Sequence, residues 1–212
     1  MIDSTDFLVQ LCALAEGQWG QVALAQIADQ VPAPVIEHWH RVGIVEPVID
    51  GVVRVRAGAR HPFPRLYAAW LRLDPEPAWL RTPPTLAVVS HRSAARLYRV
   101  LDHTTSVPEF TAAAPALQPT DAVVHRAPLR EQDRRVIAGL PVTSPARTLV
   151  DLSTGAGLDL AELGRIAQAL IAQSWTTADQ LAGDLTDVFT HLGAPRDGDK
   201  WLHAALDAST AA

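Results

Sequence analysis

The sequence predicts an α+β protein, and three observations carry that prediction. Three short helical patterns run from Phe7 to Val42. Directly after them, Ile44 to Ile49 and Val52 to Arg56 read as two apolar strands around Asp50-Gly51. That dipeptide favours a tight hairpin, because a type I′ turn needs φ > 0 at both central positions. Beyond residue 60, helical patterns with capping signals alternate with short apolar runs. The expected architecture is a winged helix-turn-helix over residues 1–59 and an α-rich domain with a small β-sheet over residues 60–212.

The elements follow in order. Phe7, Leu8, Leu11, Leu14 and Ala15 recur at helical spacing and predict a first helix ended by Gly17 or Gly20. Cys12 lies in that apolar pattern and reads as a small core residue. Ala23 to Gln30 predicts a second helix with Leu24, Ile27 and Ala28 inward. Pro34 opens a third, which would bury Val35, Ile36, Trp39 and Val42 and end at Gly43. Residues 57–64 read as a linker, and Leu66 to Leu73 as a helix stopped by Asp74-Pro75-Glu76-Pro77. Leu86 to Val89 predicts a short buried strand or the lead-in to a helix, and Ser90 the cap of a helix reaching about Leu101. Residues 102–120 carry three prolines and read as loop with strand pieces. Ala122 to Arg126 and Val136 to Val142 predict two further strands. Ser144-Pro145 opens a helix in which Arg147 and Asp151 pair at i, i+4. Asp159 with Glu162, and Thr177 with Gln180, form capping boxes ahead of two more helices. Trp201 and Leu202 belong to a last one.

Composition narrows the function classes. With 48% hydrophobic and 19% charged residues the chain is built to fold, and no apolar run approaches the ~20 residues of a membrane span. The acidic start lacks the basic region of a signal peptide, and a single cysteine forms no internal disulfide; both predict a cytoplasmic protein. Net charge is −5 but unevenly spread: −4 over residues 1–59, +5 over 60–147 and −6 over 148–212. The basic zone is thus the middle of the chain.

A winged helix reads DNA through its third helix, whose outer face here carries Glu37, His38, His40 and Arg41. Arg54 and Arg56, at i, i+2 on the second wing strand, would share a face and grip phosphate. His38, His40, Arg41, Arg54 and Arg56 are therefore the expected DNA-binding residues. His38 and His40 point apart on a helix and form no metal pair. Arg92, Arg96 and Arg99 at i, i+4, i+7, with His103 one turn on, predict a positive stripe suited to an acidic partner. Neither a Gly-x-Ser-x-Gly elbow, nor His-Glu-x-x-His, nor a Walker loop is present, and Ser90-His91-Arg92-Ser93 sets serine and histidine on diverging directions. The expectation is a binding protein with no catalytic residues, no cofactor and no metal.

Four blocks carry a family resemblance: Gln18-Trp19-Gly20-Gln21-Val22, Gly51-Val52-Val53-Arg54-Val55, Ser90-His91-Arg92-Ser93-Ala94-Ala95, and Leu140 through Leu152 with its Thr143-Ser144-Pro145-Ala146-Arg147-Thr148-Leu149 centre. In that order and spacing the sequence resembles the AbiEi-type antitoxins, especially their actinobacterial branch. The resemblance implies an N-terminal winged helix that represses its own operon by binding operator DNA. It also implies a second domain that counters a cognate nucleotidyltransferase-like toxin, with Arg92, Arg96 and Arg99 as the expected toxin contacts. The rival readings are a ligand-responsive transcription regulator and a nuclease-associated or toxin-modifying enzyme.

Overall fold

The computed structural model describes residues 4–82, 86–101, 107–113, 121–155 and 157–211, which form a mixed α+β protein with eight α-helices and two small sheets among them. The chain divides into two compact units, the first running to Leu86 and the second beginning at Ala87.

In the first unit, α1 (Ser4–Glu16) leads into β1 (Gln21–Ala23), a 3-10 turn (Leu24–Gln26), α2 (Ala33–Arg41), and the strands β2 (Val45–Ile49) and β3 (Val52–Val55). The sheet is antiparallel in the order β1-β3-β2. Leu11 and Ala15 of α1, Val22, Ile27, Trp39 of α2, Val45, Val53 and Val55 make one apolar core. Cys12 is exposed instead of in that core, because α1 turns the Leu11–Ala15 edge inward. Val42 is likewise 54% exposed, since α2 ends at Arg41.

The predicted second helix is absent. Gln21–Ala23 is taken by the sheet, pairing with Arg54, Val53 and Val52. Gln26 then accepts from the Ala23 amide and exchanges side-chain hydrogen bonds with Gln18 (2.9 and 3.0 Å), bonds that compete with a helical backbone. At the hairpin tip only Gly51 of the Asp50-Gly51 pair has positive φ (75°), so the turn is not type I′, and a bulge between Pro47 and Ile49 adjusts the register.

The domain boundary moves from 59/60 to 86/87, and two packing events explain it. The expected linker is inside the unit: His61 is buried, stacks on Tyr67 at 4.5 Å and meets Trp19 edge-on. The helix that follows, α3 (Pro64–Arg72), packs on the first sheet and buries Tyr67, Ala68, Ala69, Trp70 and Leu71. Arg81 secures its end by donating to the carbonyls of Trp70, Leu71, Asp74 and Glu76 while lying over the Trp70 ring. Gly20 and Gly58 let two backbone segments touch; a Cβ at Gly58 would lie 2.8 Å from the Gly20 Cα.

The second unit holds a five-stranded mixed sheet in the order β6-β5-β4-β8-β7. Its strands are β4 (Val88–Val89), β5 (Glu109–Ala112), β6 (Val123–Arg126), β7 (Arg134–Ile137) and β8 (Leu140–Thr143). The helices are α4 (His91–Leu97), α5 (Pro145–Gly155), α6 (Leu160–Ala172), α7 (Ala178–His191) and α8 (Gly198–Ala211). Both predicted capping boxes form, with Glu162 N donating to Asp159 Oδ1 at 2.7 Å and Gln180 N to Thr177 Oγ1 at 3.3 Å. The single strand expected over Val136–Val142 is instead a hairpin. Ala138 (φ 50°) and Gly139 (φ 80°) both have positive φ and form the two-residue turn between paired Ile137 and Leu140.

Candidate functional site

α2 carries the four polar residues predicted on the outer face of the third helix. Trp39, 2% exposed, anchors it in the core, and Glu37, His38, His40 and Arg41 are exposed. Arg56 is exposed at the end of the hairpin and lies beside the segment leaving α2, where a Cβ on Gly43 would sit 3.7 Å from its Nη1.

Arg54 does not join them. It sits on the central strand, opposite both Gln21 and Glu46, and is 4% exposed. Its Nε and Nη2 donate to Glu46 Oε1 at 2.9 and 2.7 Å, and Nη1 donates to the carbonyls of Val55, Arg56 and Gly58. The Arg54 hydrogen bond holds the Glu46 carboxyl below its ordinary range. The i, i+2 rule fails here because Arg54 belongs to the sheet, whereas Arg56 lies beyond the strand's last residue, Val55. Arg56 and Arg60 approach the same carboxylate at 3.4 and 3.7 Å but remain exposed. Arg54 is a fold residue, and the phosphate-gripping role predicted for it is withdrawn.

The arginine stripe is also broken. α4 spans seven residues and ends at Leu97, not near Leu101. Arg99 takes a left-handed φ of 58°. Its N–H donates to Arg96 O and that of Val100 to Ala95 O, the paired bonds of a Schellman stop with arginine where glycine is usual. Gln173 and Trp175 donate to the carbonyls of Arg99 and Tyr98 and fix the turn. Arg96 and Arg99 are exposed, Arg92 is half-buried, and the three no longer share a helix face. His103 lies outside the described residues.

The fold assembles a polar cluster that the sequence did not disclose. Ser90 is fully buried and, instead of capping α4 with its side chain, its Oγ lies 2.9 Å from His91 Nδ1. The His91 ring stacks on His125 at 3.7 Å, and His125 Nε2 lies 3.2 Å from Glu109 Oε2. His91 follows β4, Glu109 opens β5, and His125 lies on β6. One donor atom from each of His91, Glu109 and His125 falls within 4.8 Å of the others. Each residue is remote from the other two in sequence, so no motif spacing could have revealed the set. His91 also carries a left-handed φ of 50°, a cost that L residues meet only where surroundings hold them.

A buried ion network adjoins it. Arg147, 1% exposed, donates through Nε to Asp151 Oδ1 at 2.8 Å and through Nη1 to Pro128 O at 2.7 Å, and lies 3.8 Å from Asp133. Asp151 Oδ2 is buried without a hydrogen-bond partner. Burial pushes the Asp151 carboxyl up against the opposing pull of Arg147. Burial pushes Asp133 up as well, but its bonds to Arg130, with the charges of Arg130 and Arg147, outweigh that and hold it low. Burial first, then the charges of His125 and Arg147, drive His91 down to about 3, so it is neutral near pH 7.

The cluster does not make a nucleophilic serine. Ser90 is 0% exposed, so its hydroxyl has no route to a substrate. Two imidazoles and a carboxylate are instead suited to holding a proton or a cation. A separate cavity of about 400 Å3 opens beside Phe189, Trp201, Arg196 and Leu163. No helix among the described residues is long and apolar enough to cross a membrane. A scan of protein-family models finds no match to this chain, and no curated protein matches it.

The lowered His91 gives a signed pH dependence. An unfolded imidazole titrates near 6.5. Between about 6.5 and 3 the unfolded chain therefore binds a proton that the folded chain refuses, and stability falls as pH drops through that window. Thermal unfolding at about pH 7 and pH 5 should show a loss in the native chain that is smaller in His91→Gln.

Proposed function

We propose that this chain is an AbiEi-type antitoxin that acts by binding macromolecules and performs no chemistry of its own. In this reading the first unit is a winged helix that binds operator DNA and represses its own operon. The second unit binds a cognate nucleotidyltransferase-like toxin, and the protein works in the cytoplasm without an organic cofactor.

The observation that carries the reading is the path of the chain through the first unit. A helix, an edge strand, a tight turn and α2 are followed by a hairpin whose second strand inserts between the other two, in the order β1-β3-β2. That path leaves α2 covered on its Trp39 side and free on the side of His38, His40 and Arg41. A helix supported in this way can enter a major groove while hairpin cations meet the flanking phosphates. With Arg54 committed to Glu46, the phosphate contacts fall to Arg41, Arg56 and Arg60. So small a set implies weak binding with a shallow salt slope that needs two copies on paired half-sites.

For the toxin, exposed Arg96 and Arg99 remain the better contacts, with half-buried Arg92 beside them. The edge strand β7 adds Val136, 74% exposed. A toxin surface rich in carboxylates would complement this region. One observation favours the ligand-responsive reading instead: the cavity by Phe189 and Trp201, with Arg196 near its rim, has the size of a small-molecule site.

Two measurements test the proposal. In a low-salt mobility shift with DNA from upstream of its own gene, Arg41→Ala plus Arg56→Ala should weaken binding and flatten the log–log salt slope by about 2, roughly 0.9 per lost phosphate contact. Unchanged affinity and slope would remove α2 and the hairpin from the reading. Co-purification with a nucleotidyltransferase-like protein from the neighbouring reading frame should succeed for the native chain and weaken in Arg96→Glu plus Arg99→Glu. Failure of the native chain to retain that protein, or to relieve its toxicity, rejects the antitoxin assignment.

A further inference from the structure

We propose that His91, Glu109 and His125 form a binding site for one divalent transition-metal ion of the zinc, cobalt or nickel type. The inference is independent of the antitoxin reading and rests only on the second unit.

The donor set comes first. Two imidazoles with one carboxylate match the ligands these borderline ions prefer, whereas magnesium and calcium take oxygen. One donor atom of each residue lies within 4.8 Å of the other two. Ligands about 2.1 Å from a tetrahedral ion stand roughly 3.4 Å from one another, so the three need to close by at most about 1.4 Å.

The surroundings orient two of the three. Ser90 Oγ engages His91 Nδ1 at 2.9 Å, leaving Nε2 as the free nitrogen. Such an outer contact is what fixes a ligating imidazole's tautomer and ring direction. That Nε2 faces exposed Gly155, where a Cβ would come within 3.2 Å of it. Glycine therefore keeps the approach to the nitrogen open. Glu109 Oε2 already points at His125 Nε2, 3.2 Å away, and a metal would take the place of the proton between them.

The His125 ring is the part that must move. Stacked at 3.7 Å and 21° on His91, its nitrogens do not converge with the His91 nitrogen on one point. Rotation about χ2 is the movement open to it, and a terminal sp3–sp2 torsion of this kind is soft. The side chain is 33% exposed. That same exposure leaves a fourth position for water.

Asp151 supplies a second, independent observation. Its Oδ2 is buried with no hydrogen-bond partner, in a residue 5% exposed that feels the charge of His125. An unmatched buried acceptor is costly.

The test is titration of the full chain, freed of metal by chelator, with zinc alone and with cobalt. Calorimetry should show one tight zinc per chain, and cobalt should give a visible absorption band of low-symmetry coordination. Glu109→Gln and His125→Gln should each weaken zinc at least tenfold and abolish the band, while His38→Gln plus His40→Gln should leave both unchanged. Amide spectra of the metal-free variants establish that each is folded. His125, at 33% side-chain exposure against 16% for Glu109, is the less disruptive of the two to change. No zinc uptake at micromolar concentration, equal affinity in the folded Glu109→Gln chain, or loss only in the His38/His40 variant would each overturn the site.

Discussion

One buried cation organises the second unit. Arg147 sits on α5 with its guanidinium 1% exposed, and a charge in that position survives only if it is paired and hydrogen-bonded. Asp151 one turn along α5, the Pro128 carbonyl and Asp133 meet that demand. Asp133 is in turn held by Arg130 and accepts, through its backbone carbonyl, from the Ser144 amide at the start of α5. The loop before β7, the end of β8 and the first turn of α5 are thereby tied to one another. Thr148 adds a second tie, its hydroxyl 2.7 Å from that of Thr143. The cluster of His91, Glu109 and His125 lies within electrostatic reach of this network.

The same economy operates in the first unit and changes what the charge pattern means. Arg54 is consumed by Glu46 and three carbonyls, and Arg81 by four carbonyls and the Trp70 ring. Arginine suits such duty because its planar fork satisfies several acceptors at once. The positive excess of residues 60–147 is therefore not a surface property alone, since Arg81 and Arg147 are interior and Arg130 is paired. Arg41, Arg56 and Arg60 in one unit and Arg96 and Arg99 in the other are among the cations that stay exposed.

Much of the fold was legible where local chemistry decides it. α2, the strands flanking Asp50-Gly51, both capping boxes and the Arg147–Asp151 pair lie where spacing put them. What failed was decided by long-range partners. Gln21–Ala23 became a strand because β3 was there to pair with it. The stretch around His61 looked like a linker, yet aromatic neighbours made it core. Ala138-Gly139, an unremarkable dipeptide inside an apolar run, makes the turn with positive φ at both positions, whereas Asp50-Gly51 does so only at glycine. The metal-type cluster was hidden for the same reason: His125 reaches His91 only because β5 seats β6 two places from β4. Exposure was equally hard to read, and it is exposure that separates Arg56 from Arg54.

The dependence on Arg147 is most directly measured by a double-mutant cycle on the full chain, following urea unfolding through the amide resonances of β8. Arg147→Met alone should cost about 3–5 kcal/mol, because it strands the Asp151 charge in the interior. Arg147→Met combined with Asp151→Leu should recover a large part of that loss, giving a coupling of roughly 2–3 kcal/mol. A single-variant cost below about 1 kcal/mol, or two losses that simply add, would mean that the second unit is not built around this cation.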